Sequence, residues 1–61
     1  MELMYVIFVD NKPKEILSET QLINFSGRSW LMTFKKMLVP TEKINNLNFN
    51  NVENYLTLYG I

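Results

Sequence analysis

The chain has 61 residues, 48% of them hydrophobic, and six Lys+Arg balance six Asp+Glu for a formal net charge of zero. That length allows one small globular domain, residues 1–61, near the lower limit for a self-sufficient core, and the apolar content argues against disorder. With neither cysteine nor histidine, disulfides and in practice zinc sites are excluded, and balanced charge removes any bulk attraction to nucleic acid or anionic membrane.

Residues 3–9, Leu-Met-Tyr-Val-Ile-Phe-Val, are aromatic and β-branched and are expected to form a strand. A membrane span needs about 20 apolar residues and a signal peptide a basic start. This run is short and bracketed by Glu2 and Asp10, so a cytoplasmic protein is expected. Asp10-Asn11-Lys12-Pro13 is turn chemistry, and residues 14–17 are expected to return as a second strand, placed at an edge by Pro13.

Ser18-Glu19-Thr20-Gln21 carries the capping-box pattern, with Leu17 and Leu22 as a hydrophobic staple, so a helix is expected from residue 19. Ser26-Gly27-Arg28-Ser29 reads as a helix stop followed by a fresh start. From there Trp30, Leu31, Phe34, Met37 and Leu38 fall on one face at helical spacing, opposite Thr33, Lys35 and Lys36, which favours a helix over 29–38. The same residues also alternate in part as a strand, and a third strand over 30–36 is the alternative. Pro40 ends the element in either case.

Residues 41–50 are rich in asparagine and turn-like, with Ile44, Leu47 and Phe49 as expected anchors on the core. The last element, residues 51–59, is expected to be a helix with Asn50 as N-cap, Glu53 in its first turn, and Gly60 as terminator; a strand over residues 55–59 is the alternative. The fold class expected is α+β: an N-terminal β-hairpin packed against two or three short helices.

Catalysis needs a nucleophile, an acid or base near neutrality, or a metal. The commonest groups are missing and the carboxylates are scattered, so no enzyme, cofactor or metal is expected. Asp10 reads as a turn residue and Ser26-Gly27-Arg28-Ser29 as a helix joint rather than a phosphate cradle, because the rest of a P-loop is absent. The sequon at Asn24-Phe25-Ser26 lacks a secretory context and is read as accidental.

The charge is uneven, with a basic middle (Arg28, Lys35, Lys36 and Lys43 against Glu42) between acidic flanks. These four cations would serve a small DNA- or RNA-binding regulator with a basic helical face. The expected helix opens with Trp30-Leu31-Met32, however, instead of polar base-reading side chains. The preferred function is a small non-enzymatic protein-interaction module, with Met4, Tyr5, Met32 and Tyr59 as the candidate surface. Residues 3–9 are apolar on both faces and nothing covalent staples the chain, so a homo-oligomer is also expected. The alanine-free, asparagine-rich composition points to an AT-rich genome, such as that of a low-GC bacterium or one of its phages, and the module is expected to be an accessory or inhibitor protein of a phage or other mobile element.

Overall fold

The computed structural model describes residues 1–25 and 32–61. Strand β1, Glu2–Val9, turns back into β2, Lys12–Ser18, through Asp10 and Asn11 alone. Both turn residues take left-handed φ, 52° and 65°. Asp and Asn tolerate that region, and two such residues give the hairpin turn whose twist matches the flanking strands.

Strand β2 therefore starts two residues earlier than the sequence suggests. Pro13 pairs with Phe8, the register then shifts, and Ile7 pairs with Glu15, so Lys14 is an extra residue on the bulged strand. The sheet order is β2-β1-β3, which puts β2 at an edge. There the missing N–H of Pro13 costs little.

Ser18 caps helix α1, Glu19–Ile23, with the reciprocal bonds of a capping box. Asn24 closes the helix, its backbone N–H donating to the Leu22 carbonyl. The helix stop expected at residues 26–29 lies outside the described residues.

Strand β3, Met32–Val39, corrects the helix expected over 29–38. The strand alternative holds with different bounds; its residues 30 and 31 lie outside the described residues. The register with β1 runs antiparallel from Glu2↔Val39 to Val9↔Met32 without a break. The ladder decides between the two patterns. With β2 on one side only, β1 would carry an open row of backbone groups, and β3 satisfies it.

After Pro40 the chain makes a 3-10 segment, Thr41–Asn46. The asparagines that follow hold the loop. The Asn51 side chain accepts from the Asn48 N–H at 2.8 Å and donates to the Asn46 carbonyl at 2.7 Å. Helix α2, Val52–Tyr59, then forms, so residues 55–59 are not a strand. Its cap position is Asn51 rather than Asn50, with no side-chain cap bond, because that amide is already committed to the loop. Gly60 ends the helix as expected.

The result is an α+β fold with its main hydrophobic cluster between the sheet and α2. Met4, Val6 and Phe8 of β1 join Met37 and Val39 of β3 beneath Val52 of α2, with Ile16, Ile44, Leu47, Tyr55, Leu56 and Tyr59 packed around them. Each large side chain buried there contributes about 1.5–3 kcal/mol of transfer free energy. Ile44 and Leu47 anchor the loop as expected, but Phe49 does not, being 56% exposed.

Candidate functional site

Successive strand residues point to opposite faces, so the core described above uses only one side of the sheet. The other side carries Leu3, Tyr5, Ile7 and Val9 of β1. Opposite them on β3 stand Leu38, Lys36, Phe34 and Met32, and on β2 Leu17 faces Tyr5. Ile7 is buried at the centre, while Leu3, Tyr5, Val9, Leu17 and Met32 are half-buried. Phe34 and Leu38 stay open, at 53% and 38% exposure. An apolar band thus crosses the face away from α2, interrupted on β3 by Lys36.

Two of the four residues expected at the surface, Tyr5 and Met32, belong to this band. Met4 is corrected: it points to the α2 side and is only 9% exposed, inside the core. Tyr59 is half-buried and engaged within α2, its ring edge-on to Tyr55 with centroids 5.6 Å apart. Phe34 and Leu38 were not expected here, because helical spacing assigns both to a buried stripe. A two-residue period puts both on one face, but Lys36 between them breaks the apolar alternation that would have signalled it.

Among the described residues, the cations of the expected basic face do not come together. As neighbours on a strand, Lys35 and Lys36 project to opposite sides of the sheet. Lys43 sits in the 3-10 segment, its carbonyl accepting from the Tyr55 hydroxyl at 3.0 Å. Arg28 lies outside the described residues. Lys35 is on the core side at the margin, with its Nζ 5.0 Å from the centre of the Phe8 ring. That distance is within cation–π range.

Beside Lys35 runs an open groove of about 590 Å³. Its floor and one wall are Phe8, Phe34, Lys35 and Lys36, and the facing wall is Glu53, Leu56 and Thr57 of α2. Gly60 and Ile61 close one end. Gly60 makes an antiparallel bridge to Met37, and the Ile61 N–H donates to the Lys36 carbonyl at 3.1 Å.

Among the described residues no helix is long and apolar enough to cross a membrane. The chain matches no protein-family model, no curated protein and no solved structure.

Proposed function

We propose that the chain is a small non-enzymatic protein-interaction module that binds through the sheet face away from α2. The observation that carries this reading is the exposure of Phe34 and Leu38 on the same face as Leu3, Tyr5 and Met32. Aromatic residues and methionine are enriched in interface cores, and Phe34 and Leu38 are exposed large apolar side chains beside further half-buried ones on the same face. Nucleic-acid binding is the weaker reading, since Lys35 and Lys36 diverge and the formal charge is zero. An accessory or inhibitor protein of a phage or mobile element fits the alanine-free composition.

The test compares immobilised wild type with the double variant Phe34→Ser, Leu38→Ser in capture from a lysate of the source cell. Species held by the wild type should be lost from a variant whose circular dichroism is unchanged. Identical capture by the two proteins overturns the reading.

A further inference from the structure

Among the described residues the sheet ends at β3, and the outer edge of β3 is only partly covered. Among the described residues, its outward backbone groups are engaged where Gly60 bridges Met37 and the Ile61 N–H reaches the Lys36 carbonyl. In an antiparallel ladder alternate residues point their N–H and C=O to the same side. Since the Lys36 carbonyl points outward, so do the backbone groups of Phe34 and Met32. Among the described residues, nothing pairs with them beside the groove between β3 and α2.

We infer that this edge takes an extended segment of a partner protein as a fourth strand, antiparallel to β3, with an acidic side chain opposite Lys35 and an apolar one opposite Phe34. The inference rests on the protein-interaction reading and adds a second binding element to it. Strand addition draws affinity from main-chain hydrogen bonds and specificity from pockets for alternate side chains. Gly60 and Ile61 already run antiparallel along this edge, so an added segment continues their direction towards Met32.

The side-chain pattern follows from the register. A residue opposite Lys35 faces the groove, where the Lys35 ammonium lies over the Phe8 ring. A carboxylate there gains charge complementarity with the Lys35 ammonium. The next residue, opposite Phe34, faces the other side and covers a ring now 53% exposed, as cross-strand apolar pairs do. The residue opposite Thr33 returns to the groove, and the one opposite Met32 is again apolar. In chain order the segment reads acidic, apolar, small polar, apolar. Glu53 on the facing wall opposes the acidic residue and limits its affinity.

The probe is a capped pentapeptide, Glu-Val-Thr-Val-Thr, which begins opposite Lys35 where Ile61 leaves off, titrated into isotope-labelled full-length protein beside a counterpart with lysine in place of glutamate. Amide resonances of Met32 and Phe34 should shift, with the glutamate peptide binding roughly three- to fivefold tighter. Lys35→Glu should reverse that preference, and Glu53→Gln should tighten binding of the glutamate peptide. Phe34→Pro, which removes one outward donor from an edge strand, should abolish both. Should that variant fail to fold, the charge reversal alone decides. Absence of shifts, shifts confined to Tyr5 and Leu38, or the same preference in wild type and Lys35→Glu overturns the inference. Loss of lysate capture in the Phe34, Leu38 double variant without any edge shift leaves the protein-interaction reading standing and removes this one.

Discussion

Ser18 and Gln21 satisfy each other across the start of α1: the Gln21 N–H donates to the Ser18 hydroxyl at 3.2 Å, and the Ser18 N–H to the Gln21 side-chain oxygen at 2.9 Å. Ser18 is also the last residue of β2 and pairs with Met4 of the core. One side chain therefore fixes both the helix start and the direction in which the chain leaves the sheet. Ser18→Ala should lower stability by about 1 kcal/mol. A denaturation midpoint equal to that of the wild type would show that the cap contributes nothing.

Met37 and Phe34 separate the strand from the helix that their spacing also allows. A helix puts both on one apolar stripe, whereas β3 buries Met37 completely and leaves Phe34 more than half open. Met37→Ala should cost about 2–5 kcal/mol. Phe34→Ala should cost about 1 kcal/mol or less. Equal losses in urea melts would contradict the observed register.

The divergent lysines make a statement about nucleic acid. Lys35→Glu with Lys36→Glu should leave the melting temperature nearly unchanged, because both residues are exposed. The wild type should show no measurable binding to random duplex at physiological salt. Micromolar binding with a steep salt slope, lost in the double variant, would favour the regulator instead.

Self-association is expected through the same apolar face, since two copies stacked there would cover Phe34 and Leu38. The melting temperature should then rise with protein concentration, and the Phe34→Ser, Leu38→Ser variant should lose that dependence. A concentration-independent melt with a monomer mass by light scattering rules this out.

The hairpin, the capping box and α2 were legible because each is written in a short stretch of sequence. Asp10-Asn11 sets the turn, Ser18 with Gln21 sets the cap, and Val52, Tyr55, Leu56 and Tyr59 repeat at helical period. Strand β3 was not, because Lys35 and Lys36 stand side by side and interrupt a two-residue alternation, while Phe34, Met37 and Leu38 match a helical one. Its identity comes from β1, whose apolar residues on both faces and two backbone edges require a partner on each side. The site followed the same rule. Residue type alone nominates Tyr5 and Met32, whereas the register is needed to add Phe34 and Leu38 to the same face, and Met4 falls on the core side because alternation along β1 has two phases and only packing selects one.

Val9 has a partner on either side, Lys12 across two turn residues and Met32 across residues 10–31. Closing the longer loop costs about 2 kcal/mol more chain entropy than closing the shorter one. The β1–β2 hairpin is therefore expected to form first, with β3 docking onto it. On that order folding rate should depend on the Asp10–Asn11 turn, and unfolding rate on how firmly β3 holds. A substitution such as Asp10→Val should slow refolding, whereas one at Met37 should chiefly shorten the lifetime of the native state.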